Sequence, residues 1–361
     1  MAYSQNDSAK SYRMFFLGSL LVSIGILIVT TGGSWDISNH LLNKPETFFA
    51  PPHFVLYSGV MVALSGAALV MLKMSVKEIK SENNVSIKLV QVGIALLLGA
   101  GPFDFLWHSS FGLDGLLSPP HLVLICGMAL SSIGSFLSVA KNSPLFVRNS
   151  YLVKNILTIL SIIPVWLSVT GLFFSFSLPF SQTDYFDFNP NPVFGAIFAT
   201  IALPFLISLM LYMAYLVNDK KFGFVSTTGA TLIIINMMTS IIPNHWLHPT
   251  VPFYLLAIIP IVLCDLVLVL SKSKMRTYLA AGIFGMLGYF IYYPLIAHIY
   301  NKIDTNQIVS ASMTSKIYFE MVLSVYPLIV VPCIVMGLVG AWVCHGMIHS
   351  IKRQEISSQL S

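Results

Sequence analysis

Long apolar stretches follow one another along almost the whole chain, separated by short polar connections. Most of them are close to the ~20 residues that an α-helix needs to cross a bilayer. The third is short, but it reaches spanning length if its helix begins at Lys88 and continues through Asp104. The pattern predicts an all-α, polytopic membrane protein with about ten transmembrane helices in a single integral membrane domain, residues 1–361. The predicted helices are 14–31, 53–72, 89–103, 121–140, 155–178, 193–217, 225–243, 250–271, 277–300 and 317–345.

The composition excludes a soluble fold. Hydrophobic residues make up 56% of the 361 residues and charged residues only 9%, whereas a typical soluble domain carries about 25% charged residues. The net charge of +5 does not indicate a nucleic-acid partner, because the basic residues lie in short clusters between the apolar stretches. That distribution is typical of membrane topology signals. We therefore expect the lipid bilayer as a partner and no nucleic acid.

The positions of the basic residues predict how the chain is oriented. Short cytoplasmic connections carry an excess of Lys and Arg, and of the 19 such residues only Lys44, Lys302 and Lys316 fall in odd-numbered connections. Ten helices place both termini on one side, so we predict a multi-pass protein of the cell membrane with cytoplasmic termini. The first apolar stretch can also be a cleaved signal peptide. Its length favours a retained anchor, and cleavage stays an open alternative.

An internal repeat covers the first four predicted helices. Residues 33–59 align with residues 101–127 without gaps, at a constant offset of 68, and Glu46 aligns with Asp114. Each copy predicts an outward-facing helical hairpin, so that 14–72 and 89–140 are tandem copies and 155–345 adds further transmembrane helices. The identical pairs are Gly33/Gly101, Asp36/Asp104, His40/His108, Pro51/Pro119, Pro52/Pro120, His53/His121, Val55/Val123, Leu56/Leu124 and Gly59/Gly127.

The polar residues of each copy follow the pattern D-x3-H-x12-H. A spacing of four places the carboxylate and the first imidazole on one helix face, and the second imidazole follows Pro-Pro, which is tolerated at a helix start. One carboxylate and two imidazoles can bind a metal ion and leave positions open for water, dioxygen or substrate. Polar residues at helix ends often only contact water or headgroups, but the repeated spacing favours metal binding. The candidate ligands are Asp36, His40 and His53 in the first copy and Asp104, His108 and His121 in the second.

The second copy also carries a longer motif. Asp104, Trp107, His108, Asp114, Pro119 and His121 match D-x2-W-H-x5-D-x4-P-x-H at every fixed position. This segment resembles the copper-binding segment of the C subunit of the copper membrane monooxygenases, the particulate methane and ammonia monooxygenases. The resemblance implies that Asp104, His108 and His121 bind copper near the outer membrane face.

Two other segments depart from that family's pattern. In the first copy Asn39 replaces the tryptophan and Glu46 replaces the aspartate. The family also has a second site, with an asparagine, a histidine one turn later and another histidine about fourteen residues further on. Asn244 and His248 have the first spacing, but Ile261 and Val262 stand where the third ligand would be.

Two classes of function follow from these observations. The resemblance implies an O2-dependent hydroxylase, or a subunit of one, that acts on ammonia, methane or a short hydrocarbon together with other monooxygenase-type subunits and an electron donor. The alternative is a non-catalytic protein that binds or transports copper or another divalent ion, or assists oxidase assembly. Ligand type alone also allows iron or zinc, so copper rests on the resemblance. Separately, Asp265 lies within an apolar helix, where we expect a partner inside the bundle.

Overall fold

The chain is all-helical in the computed structural model, with no β-strand among the described residues. The structure describes residues 5–41, 47–112, 115–146, 150–177, 188–217, 221–242, 245, 248, 251–270, 275–287, 324 and 326–360. The helices are α1 (Gln5–Leu41), α2 (Pro51–Leu72), α3 (Lys77–Glu82), α4 (Asn84–Phe111), α5 (Pro119–Phe146), α6 (Tyr151–Ser177), α7 (Pro192–Val217), α8 (Phe224–Asn236), α9 (Val251–Leu256), α10 (Ile258–Leu270), α11 (275–287) and α12 (Tyr326–Leu360).

Seven of these helices are long and apolar enough to cross a membrane. They coincide with the first six predicted helices and the tenth, so the predicted all-α membrane class is confirmed. Two shorter apolar helices, Phe224–Thr239 and Tyr254–Leu270, coincide with the seventh and eighth, and most of the ninth lies outside the described residues. The count of ten transmembrane helices therefore stays a prediction.

The chain forms two compact units. Unit 1 comprises Met1–Ser175 and Asp184–Asn189, and unit 2 comprises Phe176–Thr183 and Pro190–Ser361. All six candidate metal ligands from the sequence belong to unit 1.

Unit 1 contains two helical hairpins with close backbone contacts at small residues. In the first hairpin, a side chain at Gly25 of α1 would collide with the backbone of Ala63 on α2; in the second, one at Gly93 of α4 would collide with Ser131 on α5. Glycine therefore lets each pair of helices approach closely. The two contacts lie 68 residues apart in the chain. Two further pairs of contacts show the same offset. Gly59 packs against Val29 as Gly127 packs against Leu97, and Gly66 packs against Val22 as Gly134 packs against Val90.

One apolar core joins the two hairpins. Twelve of its sixteen residues fall into pairs that are 68 positions apart in the sequence. Because both hairpins contribute equivalent positions to one core, they stabilise each other through burial of apolar surface and close packing. The pairs are Val22/Val90, Ile26/Ile94, Val29/Leu97, Leu56/Leu124, Tyr57/Ile125 and Val60/Met128.

Unit 2 is held in part by polar contacts between helices. The Ser208 hydroxyl of α7 donates to the Gly337 carbonyl of α12 at 2.7 Å. Asp265 of α10 is fully buried, and its Oδ2 accepts hydrogen bonds from the backbone N–H groups of Gly223 and Ser226 at 2.9 Å and from the Ser226 hydroxyl at 2.6 Å. Asp265 thus satisfies the free N–H groups at the start of α8, which is the bundle partner that the sequence led us to expect.

Candidate metal centre

The candidate ligands meet at one end of unit 1 because of where its helices begin and end. The helix α1 continues to Leu41, ten residues past the predicted boundary at 31, and carries Asp36. The helix α4 continues to Phe111 and carries Asp104 and His108. The helices α2 and α5 begin at Pro51 and Pro119, directly before His53 and His121. The apolar stretch of the sequence indicates only which part of a helix faces lipid. The helix itself continues beyond that stretch until its free backbone groups are capped.

Asp104, His108 and His121 form one compact cluster, and their ligand atoms all lie within 4.8 Å of one another. The Oδ1 atom of Asp104 is 3.4 Å from Nε2 of His108 and 3.4 Å from Nε2 of His121. Asp104 Oδ1 and His108 Nε2 are both shielded from solvent. Helix α4 supplies two of these side chains one turn apart, and α5 supplies the third from its first turn.

Backbone carbonyls hold the other nitrogen of each imidazole. His108 Nδ1 is 2.9 Å from the Gly112 carbonyl oxygen, and His121 Nδ1 is 3.1 Å from the Gly115 carbonyl oxygen. Gly112 ends α4 with φ of 81°, a backbone conformation that glycine adopts without strain and that brings its carbonyl back towards His108.

These contacts place a proton on Nδ1 of each imidazole. A carbonyl oxygen can only accept, so Nδ1 is the donor, and a neutral ring then presents its lone pair at Nε2. A metal-binding histidine is commonly oriented in this way by a backbone carbonyl. In that state both Nε2 atoms and the Asp104 Oδ1 atom lie around a common space as a set of metal-ligand atoms.

The distances between these ligand atoms also fit a metal ion in that space. A charge-assisted N–H···O bond measures about 2.7–2.9 Å, clearly less than the 3.4 Å between Asp104 and each histidine. Ligands about 2.0–2.1 Å from a tetrahedral ion are themselves about 3.3–3.4 Å apart. The donor set of two nitrogens and one oxygen thus fits a small transition-metal ion and leaves a coordination position open.

The first hairpin holds a related pair. His53 Nε2 is 3.0 Å from Asp36 Oδ1, and His53 Nδ1 is 2.9 Å from the Thr47 carbonyl oxygen. His53 and Thr47 correspond to His121 and Gly115 at the offset of 68. The shorter N···O distance is close to that of an ion pair with a protonated imidazole.

Some residues of the predicted sites lie outside the described part of the structure. His40 belongs to α1, but its side chain is not described; Glu46, Asp114 and Asn244 are outside the described residues altogether. The structure therefore brings together the complete second triad and two residues of the first, and the remainder stays a prediction.

Both ligand sets line one cavity of about 580 Å³. Asp36 and His53 contribute from the first hairpin, and Asp104 and His121 contribute from the second. An adjoining cavity of about 250 Å³ touches His53, Asp104 and His108. The two sites thus open into common space within unit 1.

An aromatic cluster forms around Trp107, the residue directly before His108. Trp107 packs against Phe103, Phe111 and Phe188 with ring centroids 5.9, 4.6 and 5.7 Å apart. These three phenylalanines are exposed, so the cluster lies at the surface of unit 1.

The sequence interpretation missed the groups that orient the imidazoles and line the cavity. The Thr47 and Gly115 carbonyls each stand six residues before a ligand histidine, in turns closed by Ala50 and Ser118 N–H groups at 2.9 and 3.2 Å. The shared turn before Pro-Pro-His was the available signal. Tyr57 and Gly101 of the cavity wall gave no signal, because their position depends on how α2 packs against α4.

Comparison with known proteins identifies no relative of this chain. No protein-family model matches the chain, and no curated protein or solved structure matches it either. The apolar helices and the Asp–His cluster therefore define its class: a membrane-embedded, all-helical protein with a candidate metal site.

Proposed function

We propose that this protein is a membrane metalloprotein that holds copper at Asp104, His108 and His121 and supports O2-dependent hydroxylation, by itself or as a subunit. The observation that carries the proposal is the convergence of three ligand atoms on one space, with Nδ1 of both histidines close to backbone carbonyls. The metal would supply the dioxygen chemistry when bound.

The roles of the protein residues follow from their contacts. Asp104 supplies the one negative charge of the triad and lies between the two imidazoles. The Gly112 and Gly115 carbonyls accept from Nδ1, so that each neutral ring directs Nε2 towards the metal. The cavity gives a substrate a place beside Asp104 and His121.

The choice of copper and the partners come from the sequence resemblance. Two histidines and one carboxylate equally suit non-haem iron, and zinc accepts the same ligands. Hydroxylation with O2 also needs two electrons, which an electron donor or another monooxygenase-type subunit would deliver. A site that binds metal without O2 consumption would support the non-catalytic alternative instead.

We propose further that the two hairpins are copies of one unit and that the first also binds a metal ion. The recurrent contacts 68 residues apart and the equivalent His53–Thr47 and His121–Gly115 bonds support this. Asp36 and His53 supply two ligands, and His40, one turn after Asp36 on α1, is the expected third.

Metal content tests the proposal directly. Protein purified in mild detergent should hold close to two tightly bound ions per chain, measured by mass spectrometry of the metals, and the double variant His53→Ala, His121→Ala should hold none. A Ser110→Ala variant is the control, since this exposed residue of α4 bonds only within its own helix. Full metal occupancy in the double variant would refute the metal sites and leave polar helix ends as the explanation.

The orientation in the membrane is a separate prediction. We expect Thr47, at the ligand end of unit 1, outside the cell and Lys80, on α3, in the cytoplasm. Both are exposed. With the exposed Cys126 replaced by serine, a membrane-impermeant maleimide should label Thr47→Cys in intact cells and Lys80→Cys only after permeabilisation. The reverse labelling would place the metal site at the cytoplasmic face.

A further inference from the structure

The cavity beside the ligands is much larger than ammonia or methane. Its volume is about 580 Å³, and a water molecule, close to these substrates in size, occupies about 30 Å³, so roughly nineteen would fit. Cavities of roughly 300–1,000 Å³ are those that enclose drug-sized ligands. The space therefore suits a longer molecule.

The cavity runs along the helix axes, away from the ligands and into the membrane segment. On α4, the lining residues begin at Leu97 and end at Phe105, so the wall follows about two turns of the helix. Asp104 and Leu97 are seven positions apart, which corresponds to about 10 Å at 1.5 Å per residue. On α2, the wall from His53 to Val60 has the same length.

The polar groups of this cavity are concentrated at one end. Among its described lining residues, the ionisable acids and imidazoles are Asp36, His53, Asp104 and His121, all at the loop end of the hairpins. The deeper wall is apolar apart from Tyr57. A ligand with one polar end and an apolar chain matches this distribution.

The cavity wall includes side chains on the surface of the membrane segment. Leu98 and Phe105 are 46% and 52% exposed, and both lie in the candidate span Asn84–Phe111. Exposed apolar side chains at that depth contact lipid in a bilayer. An apolar molecule dissolved in the membrane can thus enter between α2 and α4 without passing through water.

We infer that the substrate class of the proposed site is a membrane-dissolved molecule with an unbranched apolar chain of about ten carbons and a small polar end, a length close to the cavity depth of about 10 Å. Its chain lies between Leu97 of α4 and Val60 of α2, and its polar end lies at Asp104 and His121. This inference rests on the proposed function for the role of the metal, but the binding of the chain can be measured independently.

Gly101 offers a direct way to block the cavity. A Cβ atom there would meet no atom within 4 Å, and the position belongs to the helix face that lines the cavity. Leucine at 101 would therefore occupy the cavity instead of disturbing the packing. Gly99 is the matched control, because it is an exposed glycine of the same helix whose Cβ also meets nothing within 4 Å, and it is not among the lining residues.

Photolabelling in phospholipid nanodiscs tests the inference. The probes are two n-decanols, one with a diazirine at the chain end and one with a diazirine beside the hydroxyl, and mass spectrometry identifies the labelled residues. We expect the chain-end probe to label the regions of Leu97 and Val60 and the hydroxyl-side probe the region of Phe105. Gly101→Leu should lower both signals about tenfold or more, as overfilling a packed site does, while Gly99→Leu leaves them unchanged.

The outcomes separate this inference from the metal proposal when metal content is measured in the same samples. Metal without labelling of the cavity, or labelling that survives Gly101→Leu, overturns the substrate class alone. Labelling without metal in the wild type overturns the metal site alone. If Gly101→Leu does not elute as a single species, Val60→Phe blocks the opposite wall.

A second probe distinguishes a free molecule from a bilayer lipid as the occupant of the cavity. This probe is a phospholipid with a diazirine in its acyl chain, tested with and without excess n-decanol. If the phospholipid labels the cavity and n-decanol does not displace it, the occupant is a bilayer lipid and the inference is overturned.

Discussion

Asp104→Asn should remove the metal from the second triad while leaving the protein folded. Asparagine keeps the shape of aspartate but not its charge, and a neutral amide oxygen is a weak ligand for a transition-metal ion. Because Asp104 lies 3.4 Å from both Nε2 atoms, it is the group that both imidazoles share. We expect the metal affinity to fall by more than the 10- to 100-fold that is typical when only a supporting contact is lost.

Thermal unfolding provides a second measurement of the same variant. At a pH at which both imidazoles are neutral, three lone pairs face one another in the metal-free wild type, whereas the amide N–H of asparagine can donate to an imidazole Nε2. Metal-free Asp104→Asn should therefore be at least as stable as the metal-free wild type at that pH. Metal at one hundred times the Kd of the second triad should stabilise the wild type by about 2.7 kcal/mol more than the variant, because the variant keeps only the proposed site of the first hairpin. Equal stabilisation of the two proteins would show that the ion binds elsewhere, and Ser110→Ala should behave as the wild type.

Helix placement could largely be predicted from the sequence because lipid imposes a strong constraint on composition. Seven candidate spans coincide with predicted helices, and the D-x3-H spacing correctly placed Asp104 and His108 within reach of each other on α4. The boundaries were less accurate: α1 and α4 extend to Leu41 and Phe111. The apolar window ends where polar residues begin, but backbone hydrogen bonding continues until a residue such as Gly112 ends the helix.

The arrangement of the two sites could not be predicted. The repeat offset indicated two similar sites, but not that Asp36 and Asp104 line one cavity. That property depends on packing between the hairpins, as in the buried Ser23–Ser135 hydrogen bond of 2.9 Å between α1 and α5. The partner of Asp265 is likewise distant in sequence, 39 residues away at Ser226, and helix periodicity carries no information about it.

The two hairpins should contribute unequally to activity, although His53 and His121 are matched in position and in their backbone partner. His53 Nε2 and Asp36 Oδ1 lie 3.0 Å apart in the first hairpin, closer than the two 3.4 Å distances around Asp104, so the first pair must move apart to admit a metal ion between its ligand atoms. The two copies also differ directly before the central histidine: Trp107 packs in an aromatic cluster, while the first copy has Asn39 at the equivalent position, a side chain that attracts water.

We therefore predict that His121→Ala abolishes O2-dependent oxidation of the substrate, with a loss above the 10- to 100-fold typical of a supporting residue. His53→Ala should retain activity within about tenfold of the wild type, because it removes a group that lines the shared cavity but does not belong to the metal triad of the second hairpin. O2 consumption with an electron donor and n-decanol measures both, and each variant serves as the control for the other because the two substitutions are equivalent in size and in the lost backbone contact. Equal losses would mean that the two ligand sets cooperate in one centre, since both open into the same cavity. Full activity in both variants would show that the oxidation needs neither histidine. Metal storage or transfer would then be the function of the site.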